Sequence, residues 1–328
     1  MKYMFVGLGS IGQRHLKNLR KITDDPVIAY RTNKSNIEEI DEKFNVKSFT
    51  DLKEALDEKP DVVFITNPTN LHIPVALKAA DISSHLFIEK PISNNSEKID
   101  ELYKKMEKNK KNCFVGLNYR FHPSLIKIKN MLDEKDIGKI LFARIQVGQY
   151  LPDWHPDNDY RLEYSARKDM GGGVVLTLIH EIDYAYWLFG EVKSVFAFTD
   201  KISNLEIDVE DVASIIMKTK DNILVELHMD YLQKPPSRSL EIIGTKGKIT
   251  WDYFKGEIKI YDNKKDIWTT IKEEGFNRNQ MYEDEIKHFL NCIKEKEKPR
   301  ITYKDISDVM KIVDAVKKSA SNGFKIEI

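Results

Sequence analysis

The stretch KYMFVGLGSIGQRHL, residues 2–16, decides the fold of the first part of the chain. Its apolar beginning predicts a short buried strand, and Gly7, Gly9 and Gly12 follow with the spacing GxGxxG. Because these glycines stand between a strand and a helix, they indicate a dinucleotide-binding turn rather than three turn glycines without a ligand. Gly7 permits the tight turn, Gly9 lets a pyrophosphate approach the backbone, and Gly12 lets the helix pack on the strand. Two further positions begin the helix with free N–H groups expected to face phosphates, Ser10 and Ile11.

The end of the second predicted strand, residues 26–31, bears on which nicotinamide cofactor is bound. No acid follows this strand to accept hydrogen bonds from the ribose hydroxyls of NAD. Arg31 is placed to pair with a 2′-phosphate, so the sequence favours NADP as the preferred cofactor over NAD. The alternative is that Arg31 stacks on adenine and that both cofactors are used. Residues that could assist Arg31 are Thr32, Asn33 and Lys34 or Ser35.

Strand-like and helix-like segments alternate up to residue 117. The predicted strands are short continuous apolar runs, typical of strands covered on both faces: 2–7, 26–31, 61–66, 85–89 and 112–117. Helical patterns lie between them, including residues 70–80 and 96–111. This alternation predicts an α/β domain with a doubly wound parallel sheet over residues 1–120.

From about residue 121 the sequence reads as a series of strands in which apolar and polar residues alternate. These segments are 139–151, 192–200, 211–220, 222–232, 238–253, 256–262 and 267–271. Alternation of this kind is typical of antiparallel strands with one face in water, so we predict an α+β domain with a large, mostly antiparallel sheet over residues 121–328. One helical segment, 173–189, interrupts the strands. Two amphipathic helices close the chain, and the last, 303–321, has an apolar face that can pack back on the first domain.

Charge and cysteine usage exclude several classes of protein. The 52 Lys and Arg balance 52 Asp and Glu, so no excess of positive charge indicates nucleic acid or an anionic membrane as partner. No window approaches the roughly 18 apolar residues of a membrane span. Cys113 and Cys292 lack the spacing of a metal site or a disulfide framework, so no metal is expected and a reducing cytoplasm is the default location.

A charged pair and a proline end the fourth predicted strand, in HLFIEKPIS, residues 85–93. The carboxyl ends of parallel strands are where ligands bind in this class of sheet. The charges of Glu89 and Lys90 therefore need not be buried without partners, because that end of the sheet opens on the cofactor cleft. Pro91 stiffens the chain immediately after Lys90.

Several stretches, in this order, resemble the Gfo/Idh/MocA oxidoreductase family, the relatives of glucose–fructose oxidoreductase and inositol dehydrogenase. The matching stretches are FVGLGSIGQRHL, VVFITNPTNLHIPVALKAA, FIEKPIS, GLNYRFHPS, GGGVVLTLIHEIDYAYWLFG and LEIIGTKGKITWD. The resemblance implies a Rossmann domain followed by a domain whose sheet often builds a homodimer or homotetramer. It also implies hydride transfer between the nicotinamide and one carbinol or keto carbon of a sugar, a nucleotide sugar or a cyclitol.

The resemblance also implies roles for single residues. It places Lys90 beside the nicotinamide, in contact with the reacting oxygen, and it makes His180 the catalytic histidine. In relatives the Lys-Pro bond is often cis, and we expect the same of Lys90–Pro91. Further residues are expected near the cofactor: Asn67, Pro68, His72, Glu89, Asn118, Tyr119 and Arg120.

These two residues suit the chemistry that such an enzyme needs. The cofactor supplies or accepts the hydride, and the protein must stabilise the substrate oxygen and move a proton. The ammonium of Lys90 suits the first of these tasks. The imidazole of His180 suits the second, since histidine titrates near neutral pH. The alternative for His180 is a histidine with satisfied hydrogen bonds at the domain boundary.

The sequence departs from the family at one position. Many relatives place an Asp one helical turn before the histidine, where this chain has Leu176, with Thr177 as the nearest polar neighbour. Substrate recognition or orientation of His180 must then come from elsewhere. Asp183, three residues after His180, is expected to share its helix face.

A long polar and aromatic segment, residues 150–173, is expected to bind the substrate. Its aromatic faces suit sugar rings, and its arginines suit a phosphate or carboxylate. An oligomer contact is the alternative for this loop. The residues expected to contact substrate are Lys90, Tyr119, Trp154, Tyr160, Arg161, Tyr164, Thr177 and His180.

The sequence leaves two other functions open. Some relatives are glycosidases that use bound NAD transiently and return it unchanged. Others are thought to be NAD(P)-binding sensors without catalysis, a role that the presence of both Lys90 and His180 disfavours.

Overall fold

The computed structural model describes residues 1–32 and 37–328. Contacts group these residues into two compact units, 1–118 with 278–306, and 119–277 with 307–328. The domain boundary at residue 120 remains a prediction. Of the residues expected to assist Arg31, Asn33, Lys34 and Ser35 lie outside the described residues.

Six parallel strands form the sheet of the first unit, in the described part of the chain. Their bounds are β1 Tyr3–Val6, β2 Val27–Tyr30, β3 Lys47–Phe49, β4 Val62–Ile65, β5 His85–Glu89 and β6 Cys113–Gly116. The order β3-β2-β1-β4-β5-β6 is that of a doubly wound sheet, with the switch point between β1 and β4. The predicted parallel sheet is therefore confirmed, and its five predicted strands are all present. The short edge strand β3 was missed because its three residues include two polar ones.

Helices cover this sheet and begin where the strands end. Their bounds are α1 Ser10–Arg20, α2 Ile37–Phe44, α3 Leu52–Asp57, α4 His72–Asp81 and α5 Ile99–Lys108. The apolar residues of β1, β4 and β5 are fully buried, as expected of strands covered on both faces. This burial fixes the strand ends, and with them the loops that carry the nucleotide-binding motifs.

The second unit contains a sheet of nine strands among the described residues. Their bounds are β7 Ile140–Gly148, β8 Val192–Asp200, β9 Val212–Thr219, β10 Leu224–Asp230, β11 Ser237–Gly244, β12 Gly247–Asp252, β13 Glu257–Asp262, β14 Ile267–Lys272 and β15 Ile326–Glu327. The order is β14-β13-β12-β11-β7-β10-β9-β8-β15, and every pair is antiparallel except β7 with β10. Burial alternates residue by residue along β9, so one face of that strand packs inward and the other is exposed. The mostly antiparallel sheet that the alternation predicted is confirmed.

One predicted helix of the second unit is two separate helices in the structure. The helices of this unit before the end of the chain include α6 Pro123–Asp133, α7 Val174–Thr177 and α8 His180–Phe189. Residues 173–189 were predicted as one helix, but Leu178 takes φ −98° and ψ 30° and interrupts it. His180 therefore stands in the first turn of α8, and the spacing of one helical turn back to Leu176 does not apply across the break.

Two helices close the chain, α9 Asn279–Ile293 and α10 Tyr303–Asn322. α9 belongs to the first unit, where Phe289 packs against Phe64, Phe87 and Phe114 with ring centroids 5.5–6.0 Å apart. Each buried phenylalanine contributes about 1.5–3 kcal/mol relative to an exposed one. No helix within residues 1–32 and 37–328 has the length and apolar character needed to cross a membrane.

Candidate active site

The glycine motif forms the turn between β1 and α1. Gly7 has φ +89°, a conformation that favours glycine, and the Thr66 hydroxyl donates to its carbonyl oxygen at 2.6 Å. A Cβ on Gly12 would lie 2.5 Å from the Gly7 oxygen, so this close approach of helix and strand requires glycine. Among the described residues, in contrast, none lies within 4 Å of a Cβ placed on Gly9. The space beside Gly9 is therefore open toward whatever binds at this turn.

The N-terminus of α1 is available to a phosphate group. Gly9 is its N-cap, no side chain caps the helix, and no acidic residue stands in its first turn. Ser10 is exposed and Ile11 half-buried. Free N–H groups and the positive end of the helix dipole are the usual pyrophosphate site of this fold.

Two buried amides supply further polar groups in the first unit. Asn67 Oδ1 and Asn118 Nδ2 are buried and have no hydrogen-bond partner among the described residues. A buried polar atom is costly unless a partner satisfies it, so both fit a ligand with hydroxyl and amide groups. Together with the open space at Gly9 and the uncapped helix, these amides fit an NAD-type dinucleotide.

The loop after β4 is joined to the Glu-Lys-Pro turn through His72. This buried imidazole contacts the Asn67 carbonyl through Nε2 at 2.8 Å and the Pro91 carbonyl through Nδ1 at 2.9 Å. Burial lowers the pKa of His72, which opposes the two carbonyl contacts that favour its charged form. Pro68, next to Asn67, is half-buried. His72 therefore connects the loop after β4 to the Glu-Lys-Pro turn.

The Glu-Lys-Pro turn follows β5, and its Lys90–Pro91 bond is cis, as expected from the resemblance. The Lys90 side chain is half-buried at the carboxyl end of the strand. Glu89 is 7 % exposed and turns its carboxylate to His15, with Nε2 2.5 Å from Oε1. The contact of Glu89 with a cofactor remains a prediction, which this pairing does not favour.

The end of β2 carries the residues that bear on cofactor preference. Arg31 is 9 % exposed, and its backbone N–H donates to the Phe49 carbonyl at 3.0 Å. Thr32 is exposed. Neither residue is acidic, as the sequence analysis noted.

His180 lies among aromatic rings in the second unit. It is 8 % exposed, and its ring centroid is 4.8 Å from that of Tyr119, whose hydroxyl has no partner within the described residues. Leu176 and Thr177 are buried nearby in sequence, in α7. An aromatic face and an unpartnered hydroxyl beside an imidazole can bind a polyol, since sugar rings present apolar faces and hydroxyls together.

Asp183, expected to share a helix face with His180, is the partner of a buried arginine. Its carboxylate accepts three hydrogen bonds from the Arg120 guanidinium, at 2.8–3.2 Å, and both side chains are buried. The Arg120 guanidinium also lies over the ring of Trp187, 5.3 Å from its centroid. A cofactor contact by Arg120 therefore remains a prediction that this buried ion pair does not favour.

Arg238 is a residue near His180 that the sequence analysis missed. It forms an ion pair of 2.8 Å with the buried Glu181, and its guanidinium lies 4.4 Å from the Tyr119 ring centroid. Its position in β11, inside a strand of ordinary pattern, gave no signal in the sequence. The pairing fixes the ring that faces His180.

Residues 150–173 form an ordered loop with four short 3₁₀ turns. Trp154 packs edge-on against Tyr231, with ring centroids 5.4 Å apart, and Tyr160 accepts at its hydroxyl from the Glu206 N–H. Arg161 is ion-paired with Asp159 and Glu206 on the surface. Tyr164 is half-buried. Trp154, Tyr160 and Arg161 already have protein partners, and contact of these three and of Tyr164 with substrate remains a prediction.

No group of three His, Cys, Asp or Glu side chains that could hold a metal ion occurs in the part of the chain that the structure describes.

Comparison with known proteins gives relatives along the whole chain. The myo-inositol 2-dehydrogenase of Thermotoga maritima is 27 % identical over 352 aligned residues, covering 100 % of this chain and 98 % of the relative. A solved levoglucosan dehydrogenase, in complex with NADH and levoglucosan, matches at 21 % identity with a TM-score of 0.88, covering 100 % of this chain and 99 % of that one. The WlbA dehydrogenase from Bordetella pertussis, in complex with NADH and UDP-GlcNAcA, matches at 19 % identity with a TM-score of 0.84, covering 100 % and 97 %. The two structural matches show a shared fold.

Two family descriptions match in sequence order and together span most of the chain. Residues 1–117 match the oxidoreductase family with an NAD-binding Rossmann fold, and residues 125–250 match the Gfo/Idh/MocA C-terminal domain. The first unit is thus an NAD-binding domain, and the protein is an oxidoreductase. The motif order had predicted this result, and the chain belongs to the Gfo/Idh/MocA oxidoreductase family.

Proposed function

We propose that this oxidoreductase transfers a hydride between a nicotinamide cofactor and one CH–OH or keto carbon of a sugar, a nucleotide sugar or a cyclitol. The observation that carries the proposal is Lys90, a half-buried ammonium at the carboxyl end of β5 in the same unit as the dinucleotide turn. The relatives are named for inositol and levoglucosan, and one solved structure holds a nucleotide sugar. All three ligands present a ring with several secondary hydroxyls, which supports this substrate class.

Each residue in the proposed chemistry has one task. When bound, the nicotinamide accepts the hydride in oxidation and donates it in reduction. Lys90 stabilises the substrate oxygen as its negative charge develops, because an ammonium in a partly water-excluded site lowers the energy of an alkoxide-like oxygen. His180 takes the hydroxyl proton in oxidation and returns it in reduction. Substrate contacts come from the Tyr119 hydroxyl and the 150–173 loop.

The preferred cofactor is proposed to be NADP. Support comes from the end of β2, where Arg31 and Thr32 follow the strand and no carboxylate stands among its described residues. The relatives with NADH bound argue the other way. Michaelis constants for NADH and NADPH decide the matter, and a clear preference for NADH contradicts the proposal.

The open face of the nine-stranded sheet is proposed to build a homodimer or homotetramer. Exposed apolar side chains on it include Phe198, Ile216 and Leu224, which are 66 %, 44 % and 40 % exposed. Contiguous exposed apolar surface is typical of interfaces. Sedimentation of the purified protein tests this assembly.

A reducing cytoplasm is also proposed as the location of the protein, because neither Cys113 nor Cys292 forms a disulfide.

The experiment that tests the function is a screen of polyols for net change in reduced-nicotinamide absorbance. Cyclitols, free sugars and nucleotide sugars are each offered with NAD⁺ and with NADP⁺. We expect one class to give sustained turnover with stoichiometric cofactor reduction. Turnover of a glycoside without net absorbance change would instead identify a glycosidase that recycles its cofactor. Tight cofactor binding with no turnover of any class would identify a sensor.

A further inference from the structure

The helix that carries the dinucleotide turn is joined to the Glu-Lys-Pro turn by one buried hydrogen bond. His15 stands in α1, three residues after Gly12, and its ring is fully buried. Its Nε2 lies 2.5 Å from Glu89 Oε1. The other carboxylate oxygen, Oε2, accepts from the backbone N–H of Lys90 at 3.1 Å. A single carboxylate therefore connects α1 to the backbone of Lys90.

The buried carboxyl groups of Glu89 and Glu285 differ in the form that their surroundings favour. Burial alone raises the pKa of the Glu89 carboxyl, but the hydrogen bond from His15 and the charges of His15 and Lys90 outweigh it and leave that pKa below its usual value. Glu285, in α9, is fully buried, and neither of its oxygens has a hydrogen-bond partner among the described residues. Burial, with the Glu89 carboxylate adding to it, holds the pKa of Glu285 well above the usual value. Burial and the Glu89 carboxylate thus both favour the neutral form of Glu285.

The surroundings make this hydrogen bond strong and directional. Rings of Phe87 and Tyr282 lie 4.9 Å and 5.8 Å from the His15 ring, so the pair is removed from water. Charge-assisted hydrogen bonds gain strength in such a low-dielectric site. Gly116 stands opposite Glu89 in the β5–β6 ladder, and a Cβ there would lie 3.3 Å from Glu89 Oε1. A side chain at this position would require the carboxylate or the Phe87 ring to shift by a few tenths of an ångström.

We infer that His15 and Glu89 are positioning residues for Lys90. His15 Nε2–H holds the Glu89 carboxylate, and Glu89 holds the Lys90 N–H, so the direction of the lysine is fixed relative to the dinucleotide turn on α1. The inference rests on the proposed catalytic task of Lys90. The Glu89 carboxylate, which the motif alone predicted to contact the cofactor, is thereby given a positioning role instead.

A matched pair of substitutions at position 15 tests the donor itself. In His15→Gln the side-chain Nε2 takes the place of the imidazole Nε2 and can still donate to Glu89. In His15→Leu the donor is lost while the bulk is kept. We expect His15→Leu to lower kcat by about 10- to 100-fold, since a small misplacement of a reacting group costs that much, with the cofactor KM within about threefold. His15→Gln should recover most of the lost kcat.

A second variant keeps the test decisive where His15→Leu fails to fold. Glu89→Gln keeps the shape of the side chain and removes its charge, and it should show the same fall in kcat with little change in the cofactor KM. His85→Asn, at the other end of β5, is the control and should keep the wild-type kcat. Wild-type kcat in Glu89→Gln would overturn the inference. So would an equal loss in His15→Leu and His15→Gln, because packing rather than hydrogen bonding would then explain it.

A readout without turnover separates this inference from the proposed function. If the wild-type protein oxidises no polyol, the proposed substrate class is wrong, and the position of Lys90 is followed by amine-reactive labelling and mass spectrometry. We expect NADH or NADPH, whichever binds, to slow labelling of Lys90 in the wild type. That protection should be lost in Glu89→Gln. Equal protection in the two proteins would overturn the positioning role.

Discussion

The nucleotide-binding edge of the first unit and the region around His180 in the second unit hold their polar groups differently. In the first region, backbone geometry positions most of the polar groups. Gly7 requires a positive φ, Gly12 requires close approach, and Asn67 Oδ1 has no partner in the part of the chain that the structure describes. In the second, charged side chains are committed to each other, as Arg120 is to Asp183 and Arg238 is to Glu181.

This difference indicates where a ligand is expected to bind polar groups that the protein leaves unsatisfied, and where it meets side chains that are already paired. Groups left unsatisfied by the protein favour a ligand that is always the same, which suits a cofactor. Groups that are paired within the protein are held in place by each other. Among the described residues, an atom such as the Tyr119 hydroxyl remains for a substrate. Four predictions test this contrast, from the largest expected effect to the smallest.

Lys90→Ala should have the largest effect on activity. Removing the ammonium removes the stabilisation of the reacting oxygen, so kcat should fall by about 10²- to 10³-fold while the dissociation constant of the cofactor changes little. Steady-state kinetics and fluorescence titration with reduced cofactor measure the two quantities. Lys78→Ala, on α4, is the control. Unchanged turnover in Lys90→Ala would remove Lys90 from the chemistry.

Asp183→Asn should have the largest effect on stability. Removing one partner of a buried ion pair leaves the Arg120 charge unpaired, which costs about 3–5 kcal/mol of unfolding free energy. Chemical denaturation measures it. Asp159→Asn breaks a pair on the surface with Arg161 and should leave the unfolding free energy unchanged within error. Equal effects of the two substitutions would contradict the burial argument.

Gly12→Ala and Gly9→Ala separate packing from ligand binding at the same turn. The added methyl at Gly12 meets the Gly7 oxygen, so we expect a loss of about 1–3 kcal/mol in unfolding free energy. The methyl at Gly9 meets no atom of residues 1–32 or 37–328 within 4 Å, so the fold should be retained. It stands where a pyrophosphate is expected, and the cofactor should bind at least about tenfold more weakly, a loss of about 1.4 kcal/mol. Full cofactor affinity in Gly9→Ala would contradict the assignment of this turn.

Glu285→Gln should have the smallest effect at about pH 5, and its effect should appear only in the pH dependence of stability. In the unfolded chain Glu285 ionises near its usual pKa of about 4.3. In the folded protein burial and the Glu89 carboxylate raise that pKa well above this value. The unfolded state therefore binds fewer protons above that value, and the unfolding free energy falls as pH rises, by at most about 1.4 kcal/mol per pH unit. Glutamine cannot ionise, so the variant should show a shallower fall between pH about 5 and 8. Parallel pH profiles for the two proteins would show that Glu285 ionises in the folded state.

Much of the fold could be predicted because it depends on local pattern. Continuous apolar runs gave the central parallel strands, and alternation gave the strands of the second sheet. The break at Leu178 could not be predicted, because residues 173–189 contain no proline and their apolar pattern suits one helix. The helix is interrupted there because α7 and α8 take separate positions in the folded unit.

The candidate site was predictable to the extent that its residues lie in motifs. Lys90 and the glycines stand in short stretches whose order along the chain is specific. Arg238 could not be found in this way, since it lies within an ordinary strand and reaches Tyr119 only through the fold. The pairing of Asp183 with Arg120 was missed for the same reason, because the two are 63 residues apart.

The sequence by itself determined the parallel sheet, the dinucleotide turn and the residue at the end of β5, because apolar periodicity and glycine stereochemistry act over a few residues. Only the tertiary structure decided which charges neutralise each other. Glu89 looked like a cofactor ligand in the motif, yet its carboxylate lies against His15 from another element of the same unit. The physical reason is burial, since a charge removed from water must find its partner wherever the fold brings one within hydrogen-bonding distance.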